Sequence, residues 1–107
     1  MRQIPFSAFT SDFFGVTNAR DLKWVNERLT PQPSKTFAQP LKLLHPFGNH
    51  KQLIYIACTN PELRAIKPFA EKTKASKDWK YLELKTGHDA MITMPKELAD
   101  MLIRLRT

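Results

Sequence analysis

The 107 residues suffice for one compact unit and not for two, because domains cluster at about 100–150 residues. Apolar residues at 42% and charged residues at 25% are ordinary globular values, which excludes a disordered tract or a collagen-like repeat, and the single Cys58 excludes an internal disulfide framework. The net charge of +7 comes from residues scattered along the chain, among them Lys35, Lys42, Lys51, Arg64, Lys67, Lys72, Lys74, Lys77, Lys80 and Lys85, so a solvated basic surface is expected rather than a specific nucleic-acid site.

Residues 1–16 carry Phe6, Phe9, Phe13, Phe14 and Val16 without a clean period, the pattern of an apolar segment that packs on something else. No signal-peptide core precedes Pro5, and cytoplasm is the expected compartment. Asn18 is placed to N-cap a helix from Ala19 to Leu29, with Leu22, Val25 and Leu29 on one stripe and Trp24 beside it, until Pro31 stops it. Residues 30–50 hold Pro31, Pro33, Pro40, Pro46 and Gly48 and read as a long connection without regular structure. Residues 1–50 are therefore expected to form a helical segment and a Pro-rich connection, and residues 51–107 a βαβα unit.

Leu53 to Ala57 is apolar on both faces of any strand, as in a parallel strand covered by helices on either side. The longest apolar run, Leu53 to Cys58, is far shorter than the roughly 20 residues that cross a bilayer, so no membrane association is expected. Asn60 and Pro61 then read as the N-cap and first position of a helix, with Leu63, Ile66, Phe69 and Ala70 at helical spacing up to about Lys74 and Pro68 expected to kink or restart it. Trp79 to Leu84 is the second strand, with Trp79 and Tyr81 on one face and Leu82 and Leu84 on the other. The last helix, Pro95 to Leu105, spaces Leu98, Met101, Leu102 and Leu105 to pack back onto the sheet.

The fold class expected is α/β, with two parallel strands and flanking helices. Such a crossover is right-handed, and ligand groups collect on the loops after the carboxyl ends of the strands, here residues 59–62 and 86–89. Two parallel strands leave two open edges, so a partner is expected: a missing upstream half, a second copy, or the N-terminal segment folded over an edge.

His88 follows Gly87 directly at the end of the second strand, where an imidazole could act as a base; an ordinary loop histidine is the alternative. Cys58 continues an apolar strand with no neighbouring basic residue in sequence to lower its pKa, which suits an inert buried thiol. His45 and His50 flank a Pro/Gly loop with no Cys, Asp or Glu at metal-ligand spacing, so neither a metal nor any other cofactor is expected. Gly15, Gly48 and Gly87 are too few to build a phosphate-cradling loop.

The run from Trp79 through Gly87-His88-Asp89-Ala90-Met91 to Pro95-Lys96-Glu97-Leu98-Ala99 resembles the catalytic-histidine region of α/β-hydrolases. The likeness is to the branch with plant methylesterases, hydroxynitrile lyases and bacterial esterase-like proteins. Phe14-Gly15-Val16 with Leu29-Thr30-Pro31-Gln32-Pro33 resembles that branch's cap segment, and Tyr55-Ile56-Ala57-Cys58-Thr59 resembles its strand before the acid loop.

The resemblance implies a partial α/β-hydrolase fold with a helical cap segment, and His88 as the base of a catalytic triad. Its serine has no counterpart, because Ser7, Ser11, Ser34 and Ser76 all lack the Gly-x-Ser-x-Gly elbow; the family's order of nucleophile, acid and histidine puts the nucleophile before residue 1. At the acid-loop position stands Asn60, which can orient an imidazole but brings no negative charge, and Glu62 is the other candidate. Glu62 also suits a helix first turn, and Asp89 is expected to point away from the imidazole as a turn or capping residue.

The resulting expectation is an esterase-like segment, inactive by itself, that acts on a small ester only when a complementary N-terminal half completes it. The alternative is a non-catalytic homo-oligomeric association module that joins through its sheet edge and Phe-rich N-terminus. A small basic nucleic-acid-binding protein ranks third.

Overall fold

Asn18 sets the start of the first helix. Its backbone is extended, at φ −68° and ψ 128°, and its side-chain oxygen accepts from the Arg20 and Asp21 N–H groups at 2.9 and 3.2 Å. Donors that the first turn would otherwise leave unpaired are thereby satisfied, and Asp21 adds negative charge at the positive end of the helix. In the computed structural model, which describes residues 3–4 and 14–106, this helix (α1) spans Ala19–Asn26. It ends before the expected Leu29, because the Arg28 N–H turns in to the Val25 carbonyl at 2.9 Å and tightens the last turn. Val25 is buried, Leu22 and Leu29 are half-buried, and Trp24 is exposed with the Arg28 guanidinium 4.2 Å from its ring centre. Of the Phe-rich N-terminus, Phe6, Phe9 and Phe13 lie outside the described residues.

The Pro-rich connection is more ordered than its composition suggests. A short strand, β1 (Gln3–Ile4), pairs antiparallel with β2 (Gln32–Pro33), where Pro33 sits at an edge that needs no donor. Ser34 then starts a single helical turn, α2 (Lys35–Ala38), its carbonyl accepting from Phe37 and Ala38 at 3.1 Å each. The irregular structure expected over 30–50 is confined to its second part, where residues 39–50 are exposed.

Strands β3 (Leu53–Cys58) and β4 (Trp79–Leu84) run parallel in register from Leu53 opposite Trp79 to Cys58 opposite Leu84. Between them lie a 3-10 turn at Arg64–Ile66 and helix α3 (Lys67–Ala75). Asn60 does not cap a helix, contrary to expectation. The Asn60–Pro61 peptide is cis, and residues 59–62 form a tight turn closed by a bridge between Thr59 and Glu62. The 3-10 turn gives way to α3 at Lys67, so Pro68 falls in the first turn of a restarted helix, where its missing N–H leaves no bond unmade.

The register sets the two sheet faces. Tyr55 and Tyr81 stack at 6.2 Å with their rings 5° apart, Trp79 meets Tyr55 edge-on at 6.4 Å, and Phe47 lies over Trp79 at 5.9 Å. Helix α3 packs on this face, burying Thr73 and bringing Lys74 to 3.6 Å from Glu83 and 5.5 Å from the centre of the Tyr81 ring. On the opposite face Leu84 is buried, while Ile54, Ile56 and Leu82 are only half-buried. Among the described residues the two-sided cover expected for β3 is incomplete: of its residues only Ala57 is buried.

The reason lies in the last helices. After α4 (Ala90–Thr93), Met94 at φ −140° and ψ 61° breaks the helical path and redirects α5 (Pro95–Leu105). No residue of α5 is buried: Leu98, Met101 and Leu105 are half-covered and Leu102 is 53% exposed, so the helix does not close over the sheet as its spacing suggests. Among the described residues, the buried apolar ones are Val16, Val25, Ala57, Leu84 and Ala90. Ala57 and Leu84 stand at the carboxyl ends of their strands, which places the core beneath the two loops that follow. The architecture is a mixed helix and strand unit with a two-stranded parallel sheet and flanking helices, compatible with part of an α/β fold.

Candidate functional site

The two strand-end loops meet because the parallel ladder continues beyond the strands. The Thr59 N–H donates to the Leu84 carbonyl and the Asn60 N–H to the Thr86 carbonyl, each at 3.1 Å. Asn60 is thus tied through its backbone to the segment that carries His88. Thr86 is buried, and its hydroxyl shares a hydrogen bond of 2.5 Å with that of Thr93, which fastens the loop to α4.

Gly87 and Gly15 hold the loop from the other side. Gly15 takes a left-handed φ of 79°, and a Cβ added to Gly87 would lie 2.7 Å from the Gly15 Cα and closer still to its carbonyl oxygen. Gly87 has no left-handed φ itself. It is required for the close passage of two backbones. The contact seats residues 14–16 against the loop: the Asp89 N–H donates to the Phe14 carbonyl at 3.3 Å, and the Phe14 ring stacks on the His88 imidazole at 6.0 Å with 26° between their planes. Val16, with no exposed surface, anchors the segment.

His88 is half-buried, so the imidazole is held by Phe14 yet reachable. Asp89 stands at the N-cap position of α4 without making a side-chain capping bond; its backbone carbonyl accepts from Ile92 and Thr93 at 2.9 and 3.2 Å. Burial pushes its carboxyl above the usual aspartate value, against the opposing pull of His88. Asp89 is also close enough to Cys58 to raise the thiol's pKa, although burial is the larger cause there. The carboxyl therefore lies within electrostatic reach of both His88 and Cys58.

Cys58 is half-buried rather than buried, and both influences keep it protonated and poorly nucleophilic. Burial, with a smaller contribution from Glu62, raises the pKa of Tyr55 and of Tyr81, and Glu62 lines a crevice with those two rings beneath Ile66 and Ala70. It thus belongs with the tyrosine face of the sheet. His45 and His50 lie in the exposed 39–50 segment, His50 with a φ of 64°. Ser76 caps a turn, its Oγ accepting from the Asp78 N–H at 3.1 Å. Among the described residues no three His, Cys, Asp or Glu side chains are grouped to hold a metal ion, and no helix is long and apolar enough to cross a membrane. A shallow groove beside the loop is lined by Asp21 and Trp24 of α1 and Met91 and Ile92 of α4.

The chain is similar to a carbendazim hydrolyzing esterase of Nocardioides sp. (strain SG-4G), with 33% identity over 105 residues. The alignment covers 98% of this chain and 41% of that esterase, so the chain spans about two-fifths of the length of the relative it matches. No family model and no solved structure matches it. The similarity is to part of a hydrolase.

The contacts that sequence reasoning missed are those of Phe14 with the His88 ring and with the Asp89 N–H. Both join distant segments that no local spacing reveals. The paired glycines Gly15 and Gly87 were the one available signal, because each departs from an otherwise glycine-poor chain.

Proposed function

We propose that this chain is the cap and C-terminal segment of an esterase-like α/β-hydrolase, with His88 as the general base of a triad whose serine is supplied from outside these residues. The observation that carries the reading is the seating of His88: a half-buried imidazole at the carboxyl end of a parallel strand, fixed by Phe14 on one side and by the Gly15–Gly87 contact beneath it. Similarity to an esterase along nearly the whole chain supports it.

In this reading the His88 imidazole takes the proton of the serine hydroxyl as the oxygen attacks the ester carbonyl, and returns it to the departing alkoxide as the tetrahedral intermediate collapses. Water then repeats the sequence on the acyl-enzyme. Asn60, tied to Thr86 through its backbone, orients the loop from the acid-loop position without adding charge. Asp89 supplies negative potential near the imidazole, and Glu62 remains with the tyrosine face. The groove lined by Trp24, Met91 and Ile92 offers apolar surface that suits an ester with an apolar group.

The test mixes the purified chain with a separately folded N-terminal hydrolase half that carries a serine elbow, and follows p-nitrophenyl acetate hydrolysis. Neither part is expected to turn over alone. Turnover on mixing that disappears with His88→Ala supports the assignment. A bound, folded pair that stays inactive contradicts it.

A further inference from the structure

His88 sits in a short loop, Thr86 to Asp89, that leads from the end of β4 into α4. Backbone contacts hold both ends of it: the Asn60 N–H donates to the Thr86 carbonyl at 3.1 Å, and the Asp89 N–H donates to the Phe14 carbonyl at 3.3 Å. The Thr86 side chain stands apart from these. Thr86 is 7% exposed, so its hydroxyl has little access to water and needs a partner inside the protein. That partner is the hydroxyl of Thr93, the last residue of α4, at 2.5 Å.

Thr93 also reaches the other end of the loop. Its Oγ1 lies 3.4 Å from the Asp89 carbonyl, one helical turn earlier. A hydroxyl has one proton to give and lone pairs that accept, so one ordering serves both contacts: Thr86 donates to Thr93, and Thr93 donates to the Asp89 carbonyl. A single side chain then touches the residue two places before His88 and the residue directly after it. The Phe14 ring and the Gly15–Gly87 contact act on the imidazole and on the middle of the loop, whereas Thr93 sets the separation of the loop's ends.

We infer that Thr93 is a positioning residue for His88, its hydroxyl clamping Thr86 to Asp89 so that the loop holds the imidazole in one orientation. The inference rests on the reading of His88 as a general base, because a base must stay within hydrogen-bond reach of the hydroxyl it deprotonates. Valine in place of Thr93 keeps the branched shape and removes the clamp. The Thr86 hydroxyl is then buried with nothing opposite it, and the loop shifts to bring it to another acceptor or to water. Serine keeps the hydroxyl and with it the clamp.

NMR on the full chain tests this, with His45 and His50 of the exposed 39–50 segment as internal controls. Thr93→Val should move the His88 imidazole signals and speed hydrogen exchange at the Gly87, His88 and Asp89 amides by about tenfold, while the His45 and His50 signals stay in place and circular dichroism shows the fold retained. Thr93→Ser should stay close to the parent. In an active mixture with an N-terminal hydrolase half, Thr93→Val should lower kcat about tenfold and leave KM within about twofold, because a displaced base slows chemistry more than it weakens substrate binding; Thr93→Ser should return most of the kcat. His88 signals indifferent to Thr93→Val, a displacement as large with Thr93→Ser, or a loss carried by KM alone would each overturn the proposal. If the unsubstituted mixture hydrolyses nothing, the hydrolase reading falls, and the NMR comparison still decides whether Thr93 holds the loop.

Discussion

Replacing Gly87 by alanine adds one methyl group at the tightest point of the structure. The new Cβ would stand 2.7 Å from the Gly15 Cα and nearer still to the Gly15 carbonyl oxygen, so its neighbours are backbone atoms that cannot rotate away as a flexible side chain could. Overpacking of a filled site costs about 1–3 kcal/mol, and a backbone neighbour puts this case toward the upper end. Against that, alanine restricts the unfolded chain and returns about 0.4–1 kcal/mol. The net expectation is a loss of about 2 kcal/mol. For a domain of this size that corresponds to a fall in Tm of about 10 °C, read by circular dichroism together with urea titration. Relief of the clash also lifts residues 14–16 from the loop, which breaks the Asp89–Phe14 bond and the Phe14–His88 stack. The imidazole proton signals in an NMR spectrum should therefore shift in the variant. A Gly87→Ala chain as stable as the parent, or more stable by the unfolded-state gain alone, would refute the claim that backbone contact seats the loop.

Three further outcomes follow from the same geometry. Val16→Ala removes two carbons from a side chain with no exposed surface and should cost about 2–3 kcal/mol in urea titration; a loss below about 1 kcal/mol would mean that segment 14–16 does not anchor the core. Asp89 has a raised pKa in the folded state, so folding favours its protonated form: that stability is fully present below the unfolded aspartate value and is lost as pH rises through the folded value. Asp89→Asn, which keeps the shape, should match the parent at low pH and exceed it at neutral pH; an advantage that is the same at every pH would contradict the burial of the carboxyl. The Cys58 thiol, raised by burial and by Asp89, should react with iodoacetamide along a pH profile displaced upward from that of free cysteine, and Asp89→Asn should move the profile back down by the smaller part of the shift.

Much of the sheet was legible because its signals are local. Two apolar runs with a helix between them give the crossover unit, and Trp79–Leu84 and Pro95–Leu105 fall at the expected residues. The first helix began at Asn18 because a cap is a one-residue device that sequence displays directly. Other features were hidden because they depend on distant neighbours. Asn60 and Pro61 carry every mark of a helix start, yet the ladder bonds from Thr59 and Asn60 to the β4 side hold them in a turn and delay the helix to Arg64. The spacing of α5 states that one face is apolar and is silent on what meets it. At the site, His88 was visible from its strand-end position, whereas the dependence of its seating on Gly15 and Phe14 joins residues more than seventy positions apart.

The most direct test of His88 as an esterase base is a chimera in which this chain replaces the aligned portion of the carbendazim hydrolyzing esterase, assayed for ester hydrolysis with and without His88→Ala. The account predicts a folded chimera that hydrolyses ester and loses about a thousandfold or more of its kcat with His88→Ala, the scale on which a triad base acts. A folded chimera that hydrolyses no faster than buffer, or one whose turnover is indifferent to His88→Ala, would contradict it.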